Sequence, residues 1–125
     1  MMNKQILDLM TQYNESVLAS AKRVNELNMK TAERLAKLNT EVFNQCTEAA
    51  TAYLNAISKV SDVTELAKTQ AEFGKEAGEK FMANAREYAE VANAVRDEMT
   101  VISEEVVSVA TANAEKAGEI LKDAA

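Results

Sequence analysis

The chain contains no proline, no tryptophan and no histidine, and only one cysteine and three glycines in 125 residues. Each shortage excludes something. Without proline, nothing in the sequence forces a helix to stop. Without histidine, no Ser/His/Asp or Cys/His pair can be assembled for nucleophilic catalysis, and the Glu-x-x-His motif of di-iron carboxylate bundles is missing. A lone Cys46 cannot close an intrachain disulfide, so a reducing cytoplasm is the expected compartment. No glycine-rich loop is present to cradle a phosphate. No stretch approaches the roughly 20 apolar residues of a transmembrane helix. The apolar run at the start is short and is interrupted by Asp8, which is not the pattern of a signal peptide. Neither an enzyme nor a cofactor or metal site is expected.

Aromatic residues make up 5% of the chain, and alanine supplies much of the 47% that is hydrophobic. Bulky side chains, each contributing about 1.5–3 kcal/mol when fully buried, are therefore scarce. A chain of this size and composition is expected to complete its burial against a copy of itself, a partner or an apolar surface. The net charge of −6 comes from the second half alone: residues 1–62 carry seven basic and seven acidic side chains, and residues 63–125 carry seven and thirteen. An acidic balance opposes binding to nucleic acid or to anionic membranes, both of which need a basic face.

What the chain does have is helical periodicity. Apolar or small residues recur in steps of three and four at Met10, Tyr13, Val17, Ala21, Val24, Leu27, Thr31, Leu35, Leu38, Val42, Cys46, Ala49, Tyr53, Ile57 and Val60. A second stripe runs through Leu66, Gln70, Phe73, Ala77, Phe81, Ala85, Tyr88, Val91, Val95, Met99, Ile102, Val106, Val109, Asn113, Ala117 and Ile120. The pattern predicts an all-α fold: a helix over about 5–58, a turn near 60–62 and a helix over about 63–122. The two would form an extended helical hairpin or a coiled-coil-like assembly in one domain. Ser61 and Asp62 are good N-caps, and Asp62 with Glu65 has capping-box spacing. A kink in one continuous helix is the alternative, because neither Gly nor Pro enforces the stop. Gly74 and Gly78 mark a place where the second helix could break, bend or meet a neighbour closely.

Residues that could carry chemistry have plainer readings. Cys46 lies on the apolar stripe, where a free cysteine acts as a small buried hydrophobe. The carboxylates belong to solvated faces. Asn14, Asn25, Asn28, Asn39, Asn44 and Asn55 recur on or near the first stripe; they either fix register between helices or weaken the stripe enough to keep it soluble, and the second reading is preferred. The aromatics lack the interleaved basic residues of a nucleic-acid platform. Over residues 99–110 the apolar sector widens, which suits a helix with more than one neighbour.

Two segments resemble phasins, the small helical proteins that coat polyhydroxyalkanoate granules. The first is Asn25-Glu26-Leu27-Asn28-Met29-Lys30-Thr31-Ala32 with Glu33-Arg34-Leu35. The second runs from Asn55-Ala56-Ile57-Ser58-Lys59-Val60-Ser61-Asp62 into Val63-Thr64-Glu65-Leu66-Ala67-Lys68-Thr69-Gln70. Glu76-Ala77-Gly78-Glu79-Lys80-Phe81 and Ala85-Arg86-Glu87-Tyr88 are similar to the family's second-helix pattern. The likeness covers about residues 13–100, and it departs from the family at Val63, where many members place proline.

The resemblance implies a non-enzymatic, cytoplasmic protein on the surface of storage granules, controlling their size and number. It also implies self-association and an influence on the polymer's synthase or depolymerase. Polymer contact is expected from Val24, Leu27, Leu35, Leu38, Val42, Tyr53, Ile57, Leu66, Phe73 and Phe81. Self-association is expected from Tyr88, Val91, Val95, Met99, Ile102, Val106 and Val109. A structural coiled-coil scaffold or adaptor that ignores polymer is the competing expectation. Its weakness is a second stripe that follows a 3.6-residue period with sparse bulky residues, not a strict heptad.

Overall fold

A computed structural model describes residues 2–124. The first helix, α1, spans Met2–Ser58 and the second, α2, spans Val63–Ala124. They form a helical hairpin, and no strand occurs among the described residues. Among those residues, no helix is long and apolar enough to cross a membrane.

The turn is built by side chains, in the absence of glycine or proline. The amides of Lys59 and Val60 donate to the carbonyls of Ala56 and Ile57 at 3.2 and 3.1 Å, tightening the last turn of α1. Asp62 then caps α2: its Oδ1 accepts from the Glu65 amide at 2.8 Å. The Glu65 carboxylate reaches back over the cap. It accepts from the Ser61 amide and the Ser61 hydroxyl, each at 3.1 Å. This is a capping box displaced by one residue, since the returning carboxylate meets the amide before the cap and not that of Asp62 itself. The caps stop the chain where a kinked continuous helix was the alternative.

α2 runs unbroken through Gly74 and Gly78. A Cβ at either position would meet nothing within 4 Å, so neither glycine serves a close approach between the described helices. Each weakens the helix by about 1 kcal/mol without making a packing contact possible.

The chain divides into two units, residues 1–31 with 94–125 and residues 32–93. In each, a length of α1 lies antiparallel to a length of α2. In the first unit the inward face carries Leu9, Val24 and Leu27 from α1 against Val95, Ile102 and Val109 from α2. In the second it carries Leu35, Leu38, Val42 and Tyr53 against Leu66, Phe73, Tyr88 and Val91. Burial is thin: among the described residues the buried hydrophobic side chains are Leu38 at 6% exposure and Val91 at 5% in the second unit and Ile102 at 4% in the first. Tyr53 and Phe73 pack edge to face with centroids 5.3 Å apart. Polar contacts supplement the seam, with Asn84 donating to Gln45 at 3.1 Å and Gln70 to the Tyr53 hydroxyl at 3.4 Å.

Candidate functional site: an uncharged side

A helix turns 100° per residue, so angular position can be read directly from residue number. Every Asp, Glu, Lys and Arg of α1 falls within an arc of about 120°. All those of α2 except Arg96 fall within about 140°. The inter-helix contact lies at the edge of each charged arc, not opposite it. More than half of each helix is therefore free of charge, and only part of that is used to hold the pair together.

In an antiparallel pair the two charged arcs meet on one side. In the unit of residues 32–93, one groove is lined by Arg34, Lys37, Glu41, Glu87 and Glu90, and another by Glu48, Glu76 and Lys80. In the other unit, Asp8, Lys116 and Glu119 share a groove. There Arg23 bridges two carboxylates of α2, at 3.6 Å from Glu98 and in contact with Glu105. Glu98 and Glu105 are two turns apart on one face, which lets one guanidinium reach both.

The opposite side of each unit has no such groups, apart from Arg96 in the first. In the first unit its grooves are lined by Met10, Tyr13, Asn14, Asn113, Ala114 and Ala117, and by Ser16, Val17, Ser20 and Val106. In the second, the Tyr88 hydroxyl donates to Asn39 on this side. The exposed large apolar residues concentrate here. On α1 these are Leu7, Leu18 and Met29 in the first unit, spaced three turns apart, and Phe43 and Leu54, also three turns apart, in the second. On α2, Phe81, Met82, Met99, Val106, Val107 and Leu121 share the uncharged arc, and Val101 is the exception that lies among the charges. Phe43 is 69% exposed and Phe81 73%. Threonines on this side point their hydroxyls back at their own helix. Thr11, Thr47 and Thr100 donate to the carbonyls of Leu7, Phe43 and Arg96 at 2.9–3.0 Å.

Most residues expected to touch polymer are turned toward the other helix. Leu38 is buried, and Val24, Leu27, Leu35, Val42, Tyr53, Ile57, Leu66 and Phe73 are half-buried. Phe81 alone stands fully outward. Of the residues expected to self-associate, Val91 and Ile102 are buried and Tyr88, Val95 and Val109 half-buried against α1, while Met99 and Val106 remain exposed.

Cys46 is exposed, which corrects its reading as a buried stripe residue. Gln45 takes the inward place. The reason is the width of the uncharged arc. A stripe drawn through its middle passes over Val17, Ala21 and Cys46, whereas the helix contact runs along its charged edge through Ser16, Ser20, Arg23 and Gln45. The six asparagines near the first stripe are likewise all exposed, and Asn14, Asn25, Asn28 and Asn39 stand on the uncharged side. Sequence reasoning missed this side and the Arg23 bridge. The signal for both was the angular confinement of charge, not the apolar period.

A family model described as Phasin protein matches residues 8–107. No curated protein and no solved structure matches the chain.

Proposed function

The chain belongs to the phasin family, whose members are structural proteins associated with polyhydroxyalkanoate granules in the cytoplasm, not enzymes, and from that premise we propose that it coats such granules through the uncharged side of its helix pair. The observation that carries this reading is the segregation of charge. In each unit one side can lie on a polyester without stripping water from any helix charge but Arg96, and the other turns the charged groups toward solvent. Apolar contact is worth about 25 cal/mol per Å² removed from water. Outward charge repels neighbouring coated particles, which limits coalescence and keeps granules small and numerous.

A second reading keeps the inward stripe as the polymer contact. The thinness of the seam favours it: with Leu38, Val91 and Ile102 the buried hydrophobic residues among those described, the hairpin could open at modest cost and lay Val24, Leu27, Leu35, Leu38 and Val42 on the surface. Tyr53, Ile57, Leu66 and Phe73 would follow from the second unit, and Phe81 is exposed in either state. The two readings separate by mutation. Adsorption through the closed pair depends on Phe43 more than on Leu35, and adsorption through an opened pair reverses that order.

The test of the function itself is density-gradient fractionation of polymer-accumulating cells, with a blot for this chain. Recovery in the granule band, resistant to salt and released by detergent, supports the coat function. Recovery in the soluble fraction alone, or equal capture by bare membranes, refutes it and favours an adaptor.

A further inference from the structure

The chain exposes 9666 Å², against about 6,600 Å² for a typical folded monomer of its mass. The difference exceeds the roughly 600–1,000 Å² per partner that a stable protein interface removes from water. Bulky side chains on the uncharged side are dense in the unit of residues 1–31 and 94–125, where α2 offers Met99, Val106 and Val107 and α1 offers Val17 and Leu18, all exposed. In the same stretch Ile102 and Val109 face α1, so this length of α2 has apolar groups for two neighbours, one of which is absent from the single chain.

We propose that this second neighbour is the same side of another copy, and that pairing in solution and adsorption to polymer exclude one another because they use one surface. Charge selects the occupant. Copies meeting through their charged sides would bring together like net charge, whereas the uncharged sides can approach with only Arg96 to accommodate. Arg96 is drawn toward its neighbour Asp97, 3.9 Å away, and its long stem can carry the guanidinium to the rim. Two antiparallel pairs packed this way make a four-helix arrangement in which each α2 gains the neighbour its wide apolar sector lacks. Free protein is then held as a pair with its adhesive side covered, and a polymer surface competes for that side.

The second half of this proposal rests on the granule-coat reading, and the test separates the two. The native thiol is removed by Cys46→Ser and a label site is placed among the charges by Ser108→Cys, giving donor- and acceptor-labelled protein. The two are mixed and measured for energy transfer, with light scattering for mass, first in solution and then on an excess of bare polyester nanoparticles at sparse coverage. A dimer mass with transfer in solution, and loss of that transfer on the particles, is the expected result. Val107→Glu and Leu18→Glu should each weaken the solution pair at least tenfold with helicity retained, and the two variants guard against one of them misfolding. A monomer at every concentration overturns the pairing and leaves the coat reading standing. Transfer that persists on sparse particles overturns the exclusion, since pairing and adsorption would then use different surfaces. Protein that pairs but does not adsorb overturns both the exclusion and the coat reading.

Discussion

Replacing Phe43 with alanine separates the uncharged side from the helix seam. Phe43 is 69% exposed, and a phenylalanine can bury about 150–250 Å² in all. Roughly 140 Å² is therefore still in water and available to a surface. At about 25 cal/mol per Å² complete coverage would give about 3.5 kcal/mol. A flat polymer covers about half of a protruding ring, which leaves about 1.5–2 kcal/mol and a loss of about 10- to 30-fold in adsorption constant on removing it. The same change should shift unfolding by no more than about 0.5 kcal/mol, because the ring packs against little and alanine is a good helix former. Leu38→Ala should do the reverse. It deletes three carbons from a residue 6% exposed, costing about 2–3 kcal/mol, and leaves adsorption through the outer side almost unchanged. The assay is depletion binding to polyester nanoparticles at protein concentrations below self-association, alongside urea unfolding followed by circular dichroism. If Phe43→Ala adsorbs like the parent while Leu38→Ala desorbs, the assignment of the uncharged side is refuted.

Further outcomes follow from other elements. Gly74→Ala and Gly78→Ala should each stabilise the protein by up to about 1 kcal/mol in urea titrations, since the added methyls meet nothing; a loss of stability would show a close contact at those positions. Asp62→Ala removes the cap accepted by the Glu65 amide and should cost about 1 kcal/mol, again by urea unfolding. Arg23→Ala should cost less than about 1 kcal/mol, and that difference should shrink in high salt, because the arginine and both its carboxylates are more than a third exposed. Thr47→Val should leave adsorption nearly unchanged, whereas Thr47→Asn should weaken it, both read by nanoparticle depletion.

The helices and their turn were legible in the sequence because their causes are local. Periodicity sets α1 and α2, and Ser61, Asp62 and Glu65 set the stop between them through contacts within five residues. The face each helix turns to its partner was less legible. Period alone says that one side is apolar, but here the uncharged arc is wide enough to hold two contacts, and the choice between them depends on the other helix. Arg23 is inward because Glu98 and Glu105 stand opposite it, a fact about residues far away in the chain. Cys46 is outward because Gln45 finds Asn84 across the seam. The plainer signal, that α1 keeps all its charges within one third of its circumference, was present in the residue numbers and needed only a search for what the charges avoid.

The back-bonded threonines change what it costs to dry this side. A hydroxyl already donating to its own helix gives up less to water when a surface arrives than a free hydroxyl would, and it presents its methyl group outward. Thr11, Thr47 and Thr100 thus count as polar in the chain's mean hydropathy of −0.26, yet at an interface they wet poorly. The protein can in this way remain dispersed by composition while one side of it behaves, on contact, as a surfactant tail.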